Sequence, residues 1–168
     1  REIQIGSIKI GGGNPVAVQS MTNTPTSDRE ATLRQIQKLE EAGCDIIRFT
    51  VNSMEAVRNI PYFRAHTHIP LVADIHFDYR LAVEAAEAGI SKIRINPGNI
   101  GSDDKIKKVA DVCRQKNIPI RVGINSGSLE KELLAKYGAP TAEALCESAL
   151  LAAKKLEKFD FDNIVLSV

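Results

Sequence analysis

The chemistry in this chain is concentrated in five short runs, and its commonest reagent is arginine. Arg48 stands in Ile-Ile-Arg-Phe-Thr, Arg94 in Lys-Ile-Arg-Ile-Asn-Pro-Gly and Arg121 in Ile-Arg-Val-Gly-Ile-Asn-Ser. Asp74 and His76 flank Ile75 in a fourth run; Gln19 and Ser20, with Asn23 just beyond, end a fifth. Polar and apolar residues alternate in these runs, which is the period of a β-strand. Arg48, Asp74, His76, Arg94, Asn96, Arg121 and Asn125 therefore share one face, read as the inward one. Guanidinium forks match phosphate oxygens in a bidentate way that lysine does not copy. Asp74 is the one carboxylate available to neutralise them, so a small molecule carrying two phosphoryl groups or a diphosphate would balance the charge. Singly, each arginine reads as a structural ion pair. Three at matching depth favour an anion site.

The remaining polar groups weigh less. Asn125-Ser126-Gly127-Ser128 reads equally as a nest of backbone N–H groups for a phosphate and as an ordinary polar turn. No Ser/His/Asp set and no pair of catalytic acids emerges, so no catalytic residue is assigned. Cys44, Cys113 and Cys146 are widely spaced and form no Cys-x-x-Cys pair, which points to buried thiols in a reducing compartment and to no metal site.

These groups need strands that end together. Ile3, Ile5, Ile8 and Ile10 alternate around Gly6-Ser7 as a β-hairpin. A unit then repeats: strands at Val16–Met21, Asp45–Val51, Leu71–His76, Lys92–Asn96, Pro119–Asn125 and Asn163–Val168, with helical sequence between them. The first helix starts from a Ser27/Glu30 capping box, the second is interrupted or restarted at Pro61, and Pro97-Gly98 stops the fourth strand. Alternating strands and helices imply parallel pairing, with an open doubly wound sheet and a (β/α)₈ barrel as the two architectures. No Gly-x-Gly-x-x-Gly follows the first strand. Six units in 168 residues match three-quarters of a barrel of about 250 residues. The expected fold is an α/β TIM barrel truncated after about six strands, residues 1–168 forming one domain, with an N-terminal hairpin. In either architecture the site lies at the carboxyl ends of the strands.

The formal net charge of +1 offers no global field for nucleic acid. No apolar run approaches the ~20 residues of a membrane span. A cytoplasmic protein with neither nucleic-acid nor membrane partner is expected. Open edges at the first and sixth strands predict a homodimer or higher oligomer.

Val18-Gln-Ser-Met-Thr22, Ala73-Asp-Ile-His-Phe77, Arg94-Ile-Asn-Pro-Gly-Asn-Ile-Gly101 and Arg121-Val-Gly-Ile-Asn-Ser-Gly-Ser-Leu129 resemble the 4-hydroxy-3-methylbut-2-en-1-yl diphosphate synthase family. The resemblance runs along essentially the whole chain and implies the N-terminal barrel portion of an oxidoreductase of isoprenoid biosynthesis. That enzyme reductively opens 2-C-methyl-D-erythritol 2,4-cyclodiphosphate with electrons from ferredoxin or flavodoxin. It implies diphosphate-binding roles for Arg48, His76, Arg94, Asn96, Arg121 and Asn125, with Asp74 in the same motif. It also implies a [4Fe–4S] cluster in a separate iron–sulfur domain, with its ligands and a catalytic glutamate outside residues 1–168. No cofactor is expected on this segment, and the segment alone is expected to be inactive. Another phosphate-binding barrel enzyme, similar to the pterin synthases, and a non-catalytic anion-binding module are the alternatives.

Overall fold

In the computed structural model, which describes residues 1–168, a six-stranded parallel sheet curls into a half-barrel with helices on its outer face. A two-stranded antiparallel hairpin, β1 (Glu2–Ile5) and β2 (Ile8–Gly11), precedes it and pairs Ile3 with Ile10 and Ile5 with Ile8. The sheet runs β3 (Gln19–Met21), β4 (Ile46–Thr50), β5 (Leu71–Asp74), β6 (Lys92–Ile95), β7 (Ile120–Gly123) and β8 (Ile164–Ser167), in sequence order. The helices are α1 (Arg29–Glu41), α2 (Met54–Ala65), α3 (Tyr79–Glu87), α4 (Pro97–Ile100), α5 (Asp103–Gln115), α6 (Lys131–Tyr137) and α7 (Ala142–Glu157). No helix is long and apolar enough to cross a membrane.

Alternation divides each strand between two environments. Ile47, Phe49, Ala73, Ile93, Ile95, Ile120 and Val122 point outward into the main core beneath the helices. The polar residues between them point into the concave face. The floor of that face is apolar: Ile46 and Val72 pack against Ile3 and Ile5, so the hairpin plugs the end of the half-barrel opposite the strand C-termini. Register brings Arg48 beside Val72, Asp74 beside Arg94, and Arg94 beside Arg121.

Several boundaries differ from the sequence expectation. The first strand shrinks to Gln19–Met21, because only these residues pair with β4, and Val16 and Val18 stay exposed. α1 is capped by Asp28, whose Oδ1 accepts from the Ala31 N–H at 3.0 Å, and not by a Ser27/Glu30 box. Glu30 instead accepts from Arg29 and Tyr62. α2 continues through Pro61: the missing N–H costs one bond, but the same helix buries Ala56, Val57, Ile60 and Phe63. Pro97-Gly98 does more than stop β6. Proline at the first helical position and Asn96 as cap open the extra turn α4, with Asn96 Oδ1 accepting from Gly98 N–H at 3.0 Å.

Candidate functional site

Asp74 is the hub of the strand ends. It closes β5, its side chain is 5% exposed, and three basic side chains from three places converge on it. Arg94 Nη1 lies 3.2 Å from Oδ1, Arg48 Nε lies 3.6 Å from Oδ2, and His76 Nε2 lies 3.6 Å from Oδ1. A buried carboxylate left alone would be costly, and so would the guanidiniums; together they are held in one arrangement.

Arg48 and Arg94 have second anchors, and Arg121 has one of its own. Arg48 directs Nε and Nη2 at Met21 Sδ, at 3.3 and 3.2 Å. Arg94 Nη2 donates to the Gly123 carbonyl at 3.4 Å, and with the Asn125 amide turned to face the guanidinium its oxygen accepts from the same nitrogen at 3.1 Å. Gly123 leaves room for this seat: a Cβ would lie 2.6 Å from Arg94 Nη2, so the guanidinium would have to move. Arg121 donates to Ser167 Oγ at 2.7 Å, while its buried Nε has no partner. Burial, and then the nearby Arg48 and Arg94 charges, pull Arg121 below the ordinary arginine range; Asp74 opposes this. One carboxylate thus faces three guanidiniums, and one of them keeps an unused buried donor. The arrangement carries surplus positive charge with orientation already fixed, which suits an oxyanion ligand.

Of the residues expected from sequence, Arg48, Asp74, His76, Arg94, Arg121 and Asn125 are brought together. Asn96 is buried and turned to structural work, capping α4 and donating to Ser128 Oγ at 3.2 Å. Ser126 lies exposed in the 3-10 turn Ser126–Ser128 and makes no side-chain hydrogen bond to the others. Two residues were missed. Ser167, near the end of β8, holds Arg121, and Lys92, at the start of β6, is buried on the inward face. Alternation alone marks Lys92, which lies two and four residues before Arg94 and Asn96. A cleft of about 340 Å³ between α3 and α5, lined by Tyr79, Arg80 and Lys108, lies on the outer layer and contains none of these groups.

The GcpE TIM-barrel domain model matches residues 1–168. The chain belongs to this family. Among GcpE relatives, the 4-hydroxy-3-methylbut-2-en-1-yl diphosphate synthase (flavodoxin) of Clostridium perfringens is 58% identical over all 168 residues, which are 48% of its length. The protein of the same name from Fusobacterium nucleatum is 54% identical, again over the whole chain and 48% of its own length. The chain spans about half the length of the curated GcpE relatives it matches. Solved structures share the fold at low identity. Yersinia pestis dihydropteroate synthase superposes with a TM-score of 0.70 at 12% identity, covering 98% of this chain and 61% of that one. A truncated 3-deoxy-D-arabino-heptulosonate 7-phosphate synthase from Thermotoga maritima gives 0.69 at 17%, covering 99% and 56%.

The cysteines of this GcpE segment do not fit an iron–sulfur cluster. Cys44 is buried and donates to the Ile46 and Val18 carbonyls. Cys113 is buried in α5, where desolvation pushes its thiol up to about 12. Cys146 is exposed on α7, and no group of three or more His, Cys, Asp or Glu side chains gathers into a metal site.

Proposed function

We propose that residues 1–168 are the substrate cradle of a 4-hydroxy-3-methylbut-2-en-1-yl diphosphate synthase. In this reading the strand ends hold the diphosphate of 2-C-methyl-D-erythritol 2,4-cyclodiphosphate while its ring is opened reductively. The observation that carries it is the gathering of Arg48, Arg94 and Arg121 at the strand ends around one carboxylate, which pairs with Arg48 and Arg94 and leaves Arg121 unpaired, in a family whose relatives bear that name. Electrons would come from flavodoxin, as those names indicate, through an iron–sulfur cluster held by residues other than the cysteines of this segment.

The cradle's own part is binding and charge stabilisation. Arg94 and Arg121 offer forked donors to the phosphoryl oxygens, and Asp74 keeps Arg94 and Arg48 from swinging into solvent. His76, half exposed at the rim, and Asn125 extend the donor set toward the ligand. Opening the ring frees one end of the diphosphate, whose negative charge rises as the C–O bond breaks. Preoriented guanidiniums therefore stabilise the opening ring more than the closed one. By itself the segment binds the anion and does not turn it over.

Calorimetric titration of the chain with inorganic pyrophosphate tests the reading. The native chain is expected to bind, and Arg94→Ala to bind at least about tenfold more weakly, the cost of losing one charge-assisted contact. No binding by the native chain, or equal binding by Arg94→Ala, would overturn it.

A further inference from the structure

Below the strand ends the concave face carries one more cation. Lys92 opens β6, and alternation places it on the inward face with Arg94. It is 2% exposed. Its Nζ reaches across the half-barrel, over β5 and β4, to donate to Gln19 Oε1 on β3 at 3.3 Å. With Gln19, Arg121, Ile46 and Val165 it lines a cavity of about 390 Å³, bounded by Ile10 of the hairpin.

A single neutral amide is poor compensation for an ammonium with three donors. Asp74 is the only carboxylate within the six strands, and it is already engaged by Arg48, Arg94 and His76. Lys92 shares its cavity with Arg121, whose buried Nε has no acceptor. The charges acting on it are Arg121 from β7 and Arg48 from β4, both repulsive. β3, β4, β8, the hairpin and the connection after it face the cavity with Gln19, Ile46, Val165, Ile10, Gly11 and residues 14–17, all neutral. A lysine kept here for stability alone would sit beside a carboxylate; this one sits beside two more cations and an open space.

We propose that Lys92 is the fourth cation of the anion site, contacting from below the phosphoryl group that Arg121, which shares its cavity, holds from the side. The inference rests on the reading of the strand ends as a diphosphate cradle and adds a residue to it. Gln19 is then a positioning residue that holds the ammonium level with the cavity. Because burial and the two arginines lower Lys92 from 10.5 to about 8, its contribution is also sensitive to mild alkali.

The test is calorimetric titration of inorganic pyrophosphate into the native chain, Lys92→Met and Lys92→Gln, each at pH 7 and pH 9. At pH 7 both variants are expected to bind roughly tenfold to a hundredfold more weakly than the native chain. At pH 9 the difference narrows, because native Lys92 is losing its proton; the ligand's own titration is common to all three. Equal affinities at pH 7, with the native chain binding and Arg94→Ala binding more weakly, would overturn the role of Lys92 and leave the cradle standing. A native chain that does not bind removes both. If neither variant folds, Lys92 holds the sheet together, and the inference fails on that ground.

Discussion

Replacing Lys92 by methionine should make the empty chain more stable, and by an amount that depends on pH. The native ammonium is buried beside Arg121 and Arg48, and its pKa falls from 10.5 to about 8. That difference corresponds to about 3 kcal/mol between the two protonation states. Below pH 8 Lys92 is charged both folded and unfolded, so the native state bears the whole cost. Between pH 8 and 10.5 the unfolded chain still holds a proton that the folded chain has released. Native stability therefore rises with pH across that window, and the cost is gone above it. Methionine has similar length and no charge; against its gain stands the Gln19 bond, worth about 1 kcal/mol. The net expectation at pH 7 is about 2 kcal/mol in favour of Lys92→Met, or roughly 4–8 °C in Tm for a domain of this size. Urea unfolding followed by circular dichroism at pH 7 and pH 10, with reductant present, measures both values. The gap should shrink strongly at pH 10. A variant less stable than native at pH 7, or a gap that does not change with pH, would refute the claim that Lys92 is a buried, uncompensated charge.

Two further expectations follow from close packing and burial. Gly123→Ala places a methyl group against the Arg94 guanidinium, so it should move Arg94 off Asp74 and weaken pyrophosphate binding roughly tenfold. Its urea midpoint should shift little, because the guanidinium can swing aside; an unchanged affinity would show that Arg94 needs no such seat. Among the thiols, Cys146 should react quickly with a thiol reagent in the native chain, while Cys113 and Cys44 wait for unfolding. Fast release of three equivalents would contradict the burial of the other two.

The cradle was legible because period-2 alternation survives any change in strand length. Arg48, Asp74, Arg94 and Arg121 fall inward whether their strands run four residues or seven. Boundaries were less legible, since they depend on partners. Val16 and Val18 have strong strand propensity, yet pairing with β4 begins only at Gln19. Pro61 reads as a break, but the packing of Ile60 and Phe63 outweighs one lost hydrogen bond. The α4 turn was written in Asn96-Pro97, a cap followed by a proline, and was obscured by reading the same pair as a stop. Lys92 escaped notice for a different reason. A lysine at a strand start ordinarily extends to water, and what keeps this one inside is Gln19, 73 residues earlier in the chain.

The hairpin gives the far end of the molecule an electrical role. Ile3 and Ile5 seal the sheet floor against Ile46 and Val72, and Ile10 walls the cavity beneath Lys92 and Arg121. Water admitted there would screen the cations from behind, and each would then act on an anion through a medium of much higher permittivity. Residues 2–11 make no hydrogen bond or ion pair with the strand-end groups, yet they shape the field those groups produce. The grip on an anion at the mouth is set partly by how much water the base admits.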